Sequence, residues 1–281
     1  MNISKNIHTF IGCDSDYAES RIAIFGAPFD STTSYRPGAR FASSAMRNES
    51  YGIETYSPYQ DKDLLDAEIF DCGDLELCFG SPESALNDIE KMTENIISDG
   101  KLPIMIGGEH LVTLGAVRAA VKKYPDLRIV HFDAHADLRD DYLGQKLSHA
   151  CVMRRCHELL GDGKIFQFGI RSGDREEFLW GREHVYTNRF DFSGIERIKE
   201  KTGDRPVYFT LDLDVLDPSC FCGTGTPEAG GVSYNELIKA IEKVSELNVI
   251  GLDINELSPT LDQSGASTAL ACKLLREILL Y

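Results

Sequence analysis

The sequence has few basic residues for its size. It carries 29 Lys and Arg against 45 Asp and Glu, a formal net charge of −16 over 281 residues. Such a surface repels nucleic-acid phosphates, which argues against a nucleic-acid-binding protein. It would attract a cationic small molecule, although an acidic surface is also ordinary for a cytosolic enzyme. We therefore expect a small-molecule partner and no nucleic acid.

Long apolar runs are also missing. No stretch approaches the ~18 apolar residues that a membrane span needs. Residues 1–5 lack the basic start and apolar run of a signal peptide, so we expect no membrane partner and a cytoplasmic protein. Apolar residues make up 42% of the chain and charged residues 26%, which predicts a folded protein with a substantial core.

None of the eight cysteines forms a C-x-x-C pair, so neither a zinc ribbon nor a thioredoxin-like redox site is indicated. Without an export signal, the cysteines are interpreted as reduced thiols. The close pair Cys220 and Cys222 is interpreted as two small loop residues.

Short apolar runs alternate with longer amphipathic segments along the chain. Seven runs are predicted to be strands: 21–26, 67–72, 102–106, 127–132, 164–169, 206–211 and 249–254. Helix starts are indicated by Ser81-Pro82 and by capping-box patterns at Ser193 and Ser233, and a last helix is predicted from about Gly265 to Leu280. No linker or repeat divides the sequence. The pattern predicts an α/β fold, a three-layer α/β/α sandwich around a mostly parallel sheet, in one domain spanning 1–281.

Histidines and carboxylates follow four of the predicted strands. Ligands of an open parallel sheet bind outside the carboxyl ends of its strands, so these side chains are expected to meet at one edge. Alternate residues of an extended segment project to one side. The residues in question are His110, Asp133, His135, Asp137, Asp212, Asp214 and Glu256. His131 lies one step inside its strand and is predicted to support the site rather than to bind a metal.

So many carboxylates in one place need a counter-cation, because ionised Asp side chains in contact would otherwise take up protons. Two divalent cations would nearly balance the charge. Mixed Asp and His ligands suit manganese(II), with zinc, iron and nickel as competitors. Two ions roughly 3.5–4 Å apart can hold a bridging water and lower its pKa, which predicts hydrolysis. Capping and ion pairing would explain any one of these Asp residues, but not all of them at these spacings.

Motifs of several other enzyme classes are missing. Residues 223–228 break the dinucleotide-binding fingerprint at its third glycine, and the sequence has neither a phosphate loop nor a G-x-S-x-G nucleophile elbow. Downstream of His135 it also lacks the G-D-x-x-D and G-N-H elements of two-metal phosphoesterases. Hydrolysis assisted by metal ions remains, whereas dehydrogenase, kinase and serine-hydrolase chemistry are excluded.

Three segments together resemble the ureohydrolase family, which includes arginases and agmatinases. They read G-G-E-H at 107–110, D-A-H-A-D at 133–137 and L-D-L-D-V-L-D-P-S at 211–219. The similarity extends from S-Y-R-P-G at 34–38 through the last helix. The resemblance implies an arginase-like sheet of about eight strands, two Mn²⁺ per chain and a homo-oligomer, either a trimer or a hexamer.

The resemblance also assigns the six metal-ligand positions. Each ion would have two ligands of its own, and two further aspartates would bridge both ions. The first ion takes His110 and Asp137, the second takes His135 and Asp214, and the bridging pair is Asp133 and Asp212.

In such enzymes a metal-bridging hydroxide attacks a guanidinium carbon, a poor electrophile because its charge is delocalised. Glu256 would hold the guanidinium group, which supplies positioning and charge stabilisation together. Asp137 would pass the hydroxide proton to the departing amine. His149, whose pKa is expected to be near neutral, would bind substrate and relay protons, and the Thr226 hydroxyl would contact the substrate.

Among ureohydrolases the pattern looks most like an agmatinase, which implies cleavage of agmatine to putrescine and urea in polyamine synthesis. Arginases carry an Asn where this sequence has Arg139. Arg139 would repel an ammonium group and attract a carboxylate such as that of 4-guanidinobutyrate, whereas Asp140 and Asp141 would suit an ammonium group. Asn255 would reshape the pocket floor.

Three alternatives stay open from the sequence. One is another ureohydrolase, such as a guanidinobutyrase or an arginase. A second is a non-catalytic member that binds a metal or ligand, although such a member would be expected to lose ligand residues. A third is a one-metal deacetylase on a related scaffold, which would not need both Asp133 and Asp212.

Overall fold

The computed structural model describes residues 8–281. Residues 1–7, in which we expect no export signal, lie outside this part of the chain. Within residues 8–281, no helix is both long enough and apolar enough to cross a membrane.

The centre of the fold is an eight-stranded sheet in which every pairing is parallel. Its strands are β1 (Ile22–Gly26), β4 (Ile69–Asp74), β5 (Leu102–Ile106), β6 (Arg128–Phe132), β7 (Ile165–Ile170), β8 (Tyr186–Arg189), β9 (Pro206–Asp212) and β10 (Asn248–Asn255). A separate antiparallel pair is formed by β2 (Tyr56–Ser57) and β3 (Lys62–Asp63). The strand order is β4-β1-β5-β10-β9-β6-β7-β8.

All seven strands predicted from the sequence are present within two residues of their expected bounds. The remaining strand, β8, reads Tyr-Thr-Asn-Arg and lies at the edge of the sheet. Its residues are exposed or half-buried, so it has no apolar run and hydrophobic periodicity does not mark it.

Helices cover both faces of the sheet, which confirms the three-layer α/β/α architecture. They are α1 (Ala42–Glu49), α2 (Pro82–Ser98), α3 (Thr113–Lys123), α4 (Val152–Leu160), α5 (Arg175–His184), α6 (Ile198–Thr202), α7 (Tyr234–Ser245) and α8 (Ala266–Leu280). Buried residues of α1, α6, α7 and α8 form one core with the sheet. Residues of α2, α3, α4 and α5 pack in the core on the opposite face.

Two of the three expected helix starts are confirmed. The Ser81 hydroxyl accepts a hydrogen bond from Ser84 N at the start of α2, and Ser233 and Glu236 form a reciprocal capping box at the start of α7. The capping box expected at Ser193 is wrong. Its backbone N–H donates to Asp191 Oδ1, so this residue belongs to a turn rather than to a helix cap.

Sheet order and register bring the ends of four strands to the same level. The strands β5, β10, β9 and β6 are consecutive neighbours. Ile106 lies beside Ile254, Ile254 beside Leu211, and Leu211 beside Phe132. The residues that follow these positions therefore emerge side by side at the carboxyl edge of the sheet.

A buried ion pair ties α1 to β4. The Arg47 guanidinium forms two parallel hydrogen bonds with Asp71, at 2.8 and 3.0 Å, and also contacts Asp74. The side chain of Asp71 is fully buried and that of Arg47 is 4% exposed. Asp71 also accepts from the backbone N–H of Phe10, so the interaction holds three segments together.

Replacement of Arg47 by Met is expected to lower the free energy of unfolding by about 3–5 kcal/mol, because Asp71 would be left as a buried, uncompensated charge. Urea unfolding of the two proteins side by side measures the loss. Lys91→Met is the matched control, since it breaks a pair with Asp88 whose side chains are 64% and 40% exposed. That control should cost no more than about 1 kcal/mol. Equal unfolding midpoints for the two variants would contradict this account.

Candidate functional site

The loop after β5 carries His110 to the edge of the sheet. A Cβ atom at Gly108 would lie 1.9 Å from the carbonyl oxygen of Phe29, so glycine is required for this close approach. Glu109 N donates to the same carbonyl at 2.8 Å. His110 N in turn donates to Glu256 Oε1 at 2.8 Å. The loops after β5 and β10 are thereby fixed to each other.

Buried hydrogen bonds set the tautomer of His110. Asp253 accepts from the hydroxyls of Tyr208 and Thr210 and from the amide of Asn255, at 2.6–2.7 Å. The Thr210 proton is committed to Asp253, so Thr210 Oγ1 is left to accept from His110 Nε2 at 2.9 Å. His110 Nδ1 therefore carries a lone pair.

His110 Nδ1 faces three carboxylates. Its distances to Asp133 Oδ2, Asp137 Oδ2 and Asp212 Oδ2 are 3.0, 3.2 and 3.3 Å. Burial alone would lower the pKa of His110, but these carboxylates raise it well above its ordinary value. In the neutral ring, the Nδ1 lone pair would face three oxygens and be repelled. Without a metal ion, a proton on Nδ1 therefore supplies the positive charge between them.

A second cluster forms around His135. Its Nδ1 lies 2.9 Å from Asp214 Oδ2 and 3.5 Å from Asp133 Oδ1. Asp214 Oδ1 accepts from Ala134 N, and Asp212 Oδ1 accepts from Asp214 N. Asp133 thus contacts both histidines, and the six expected ligand residues lie in two adjoining clusters that share it.

The donor set fits divalent cations. His110 Nδ1 and Asp214 Oδ2 are buried without a hydrogen-bond partner. Burial and the neighbouring Asp133 raise the pKa of Asp137 to about 7. Burial and Asp214 raise the pKa of Asp212 well above its usual value. Without metal ions, Asp137 and Asp212 are driven to hold protons, and cations would take the place of those protons.

His131 supports Asp133 from beneath. The Gln167 amide donates to Ala136 O and to His131 Nδ1, at 2.8 and 3.0 Å, while its oxygen accepts from Thr187. His131 must therefore carry its proton on Nε2, which donates to Asp133 Oδ2 at 2.8 Å. Burial lowers the pKa of His131, so the ring is neutral. This geometry agrees with the expected supporting role.

Two acidic residues of the site have strained backbones. Asp137 has φ +54° and Glu256 has φ +66°, in the left-handed region that side chains other than glycine avoid. Backbone hydrogen bonds hold both residues in place, from Arg154 N to Asp137 O and from Glu256 N to Gly108 O. Such conformations, which cost roughly 1–3 kcal/mol each, cluster at functional sites.

The clusters form the floor of a cavity of about 280 Å³, which His149, Thr226 and Glu256 also line. Burial, followed by the nearby Glu109, raises the pKa of Glu256 well above its usual value. The near-neutral pKa expected for His149 is not found, because burial lowers it to about 4, with His135 and His110 acting in the same direction. Its imidazole is therefore neutral at pH 7.

Arg139 lies at the cavity wall but is already engaged. Its guanidinium is 3.3 Å from Asp174 Oδ2 and 3.4 Å from Glu177 Oε2, and it stacks over the Tyr142 ring. All four residues line the cavity. With two carboxylates against one guanidinium, this wall is net negative.

Three residues that were expected to affect substrate binding do not line this cavity: Asp140, Asp141 and Asn255. Asp140 pairs with Arg155 at 2.8 Å, and Asp141 accepts from Gly144 N. The Asn255 amide points into the buried hydrogen bonds around Asp253. The prediction that Asn255 reshapes the pocket floor is therefore wrong.

Sequence reasoning missed two supporting groups. Glu109 accepts from the backbone and hydroxyl of Thr32, and Thr32 Oγ1 accepts from His149 N at 3.2 Å. Glu109 therefore positions His149, and its place between Gly108 and His110 was an available signal. Gln167 carried no signal, since it is one polar residue inside the buried strand β7.

His131→Phe is expected to weaken metal binding about 10–100-fold, because Asp133 loses the donor that orients it. Calorimetric titration of the metal-free protein with Mn²⁺ measures the change. Val130→Ala is the control, since Val130 is a fully buried residue of the same strand. It should lower stability without changing the metal affinity of the folded protein. If both variants bind Mn²⁺ like the parent, His131 does not position Asp133.

Comparisons with known proteins agree with this geometry. A sequence model described as the Arginase family matches residues 20–281. The agmatinase of Bacillus subtilis strain 168 is 46% identical over 277 residues, 96% of this chain and 95% of that protein. The guanidinobutyrase of Pseudomonas aeruginosa is 34% identical, over 92% of this chain and 85% of that protein. The crystal structure of the agmatine ureohydrolase of Thermoplasma volcanium superposes with a TM-score of 0.90 at 38% identity, covering 98% of this chain and 94% of that one. The chain belongs to the arginase family.

Proposed function

We propose that this chain is an agmatinase, which hydrolyses agmatine to putrescine and urea with two Mn²⁺ per chain. The observation that carries the proposal is the cavity itself. Two clusters of histidine and aspartate that share the buried Asp133 contribute to its lining, and Glu256 lines it as well. The 46% identity to an agmatinase over nearly the whole chain supports the choice of substrate.

The residues present fit the proposed ions. His110 and Asp137 would hold one, His135 and Asp214 the other, and Asp133 and Asp212 would contact both. Mixed nitrogen and oxygen donors suit Mn²⁺. When bound, such a pair supplies a water of lowered pKa at the cavity floor.

Glu256 is proposed to bind the guanidinium group. Its Oε1 already accepts from His110 N, so the carboxylate is fixed in orientation and Oε2 is left for the substrate. A cationic substrate would also favour the ionised form of this buried carboxyl, whose pKa is raised in the empty cavity. Glu256 therefore selects a cation and aims the guanidinium carbon at the floor. Thr226, on the cavity wall, is proposed to hydrogen-bond the same group.

Asp137 and His149 are proposed to move protons. Asp137 lines the cavity, and a carboxylate beside the reacting water can accept a proton and release it again. It would take up the proton released in the attack and give it to the departing amine. His149, neutral at pH 7, lies at the wall with Nε2 3.3 Å from Ser34 Oγ. A neutral imidazole can accept a proton on one ring nitrogen while the other releases one, so His149 is placed to relay a proton between solvent and the alkylamine product.

The net-negative wall around Arg139 favours an ammonium tail. Asp174 is 42% exposed, and Glu177 is buried beside it. For a guanidinobutyrase, the alternative function, Arg139 would have to leave both carboxylates to meet the substrate carboxylate. Arginase activity is disfavoured because Arg139 replaces the expected Asn. A non-catalytic role is disfavoured because all six ligand residues are present and in contact.

We further propose that the chain acts as one domain spanning residues 1–281, as a trimer or hexamer in the cytoplasm. The match of the family over residues 20–281 supports the single domain. Family membership alone supports the oligomer and the location.

The first test is urea release by manganese-loaded protein given agmatine, 4-guanidinobutyrate and arginine in parallel. Agmatine is expected to have the highest kcat/KM, and metal analysis is expected to find two ions per chain. Asp212→Ala should remove both the bound metal and turnover. A preference for 4-guanidinobutyrate would refute the substrate assignment. One ion per chain would point to a deacetylase-like centre, and none to a binding module.

A second test addresses how the cavity wall recognises the ammonium tail of the substrate. Asp174→Asn is expected to raise KM for agmatine about fivefold, because this half-exposed carboxylate contributes about 1 kcal/mol in solvent. Arg139→Gln should leave agmatine turnover intact or improve it, because the wall becomes more negative. Asp140→Asn is the control, since that carboxylate pairs with Arg155 away from the cavity. A lower KM for agmatine in Asp174→Asn would contradict the role given to this wall.

A further inference from the structure

A second group of metal-ligand side chains lies outside the cavity. His157 Nε2 is 2.7 Å from Asp162 Oδ1, and His184 Nδ1 is 2.6 Å from the same oxygen. The three donor atoms lie within 4.8 Å of one another. Asp162 is 67% exposed, and the two histidine side chains are 15% and 27% exposed, so solvent can reach the group.

The backbone holds these side chains in place. His157 lies in the last turn of α4, and His184 is the last residue of α5. Asp162 lies between two glycines with positive φ, in a turn whose ends bond to the histidine backbones: Gly161 N donates to His157 O at 2.7 Å, and Gly163 N donates to His184 O at 2.9 Å. The three side chains therefore converge without any ion to gather them.

The donor set has a definite preference. Two imidazole nitrogens and one carboxylate oxygen suit zinc, nickel or copper rather than magnesium or calcium, which prefer oxygen ligands. Three protein ligands leave a fourth position for water. Asp162 supplies a single negative charge and both histidines bind as neutral rings, so the complex with a divalent cation carries one net positive charge.

One cationic side chain near the group, Arg154, is held against the Trp180 indole. Trp180 stacks on His184 with ring centroids 4.1 Å apart, and the Arg154 guanidinium lies 3.8 Å over the same indole. Two groups this close to one ring centroid must occupy opposite faces. The indole therefore lies between Arg154 and the His184 ring.

We propose that His157, Asp162 and His184 form a second metal site, selective for zinc-like transition cations and separate from the manganese centre. It joins the carboxyl ends of α4 and α5. The amino ends of these helices follow His149 and Asp174, which line the cavity. At 1.5 Å per residue the site lies about 13–15 Å along the helices from those residues. A bound ion would fix the two helices to each other without contact with substrate.

The chain supplies its own reporter, because Trp180 is the one tryptophan in the sequence and its ring lies 4.1 and 4.7 Å from the two histidine rings. Ni²⁺ quenches indole fluorescence at short range. Titration of manganese-loaded, full-length protein with Ni²⁺ should give saturable quenching at one ion per chain. Zn²⁺, which does not quench, should compete and should raise the melting temperature.

Asp162→Asn and His157→Gln should each weaken the affinity for Ni²⁺, as measured by quenching, at least about tenfold. Both substitutions should abolish the effect of Zn²⁺ on the melting temperature. Asp162→Asn leaves the stack of Trp180 and His184 intact, so a change in the indole environment does not explain its result. His8→Gln, which removes a histidine elsewhere, is the control and should behave like the parent. Urea release by the manganese-loaded variants should be unchanged.

Quenching that rises linearly with Ni²⁺, or that is the same in parent and variants, would overturn the proposal and leave Asp162 as a hydrogen-bond partner of two helix ends. Ni²⁺ that displaced manganese from the cavity would bind parent and variants alike, so any quenching that it caused would count as that negative result. The outcome is independent of the proposed agmatinase activity, which has its own assay.

Discussion

Electrostatic repulsion among buried carboxylates is the constraint on which this site depends. Asp133, Asp137, Asp212 and Asp214 are all at most 6% exposed, and three of them face one histidine nitrogen. The histidines lower the pKa of Asp133, but burial and neighbouring carboxylates raise the pKa of Asp137 and Asp212, so the charge of these two is left without a partner. Folding energy elsewhere must hold the groups together, and the parallel sheet does so by ending four adjacent strands at one level.

The buried polar groups under the cavity serve the same purpose. Asp253 fixes Thr210, which fixes the tautomer of His110, while Gln167 fixes the tautomer of His131 and thus the orientation of Asp133. These groups donate and accept hydrogen bonds only within the protein. Their role is to present lone pairs rather than protons to the cavity floor, which is what a cation site requires.

The net charge of the cavity wall depends on the ion pairs that Arg139 forms, not on Arg139 alone. Read alone, Arg139 argues for an anionic substrate tail. Its contacts with Asp174 and Glu177 reverse that conclusion, because the three groups together carry one net negative charge. The acidic composition of the whole chain acts in the same direction and would draw a cationic substrate toward the protein.

The sequence by itself determined the alternation of strands and helices, the three-layer fold and the six histidine and aspartate residues that meet at one edge of the sheet, because apolar runs and period-two spacing act over a few residues. It missed β8 and misplaced a helix cap at Ser193, where burial and a competing Asp191 decide the outcome. Tertiary structure alone decided which way Asn255 and Asp140 point, that Arg139 is paired, and that burial lowers the pKa of His149. These properties depend on partners far apart in the chain and on exclusion of water, and local sequence encodes neither.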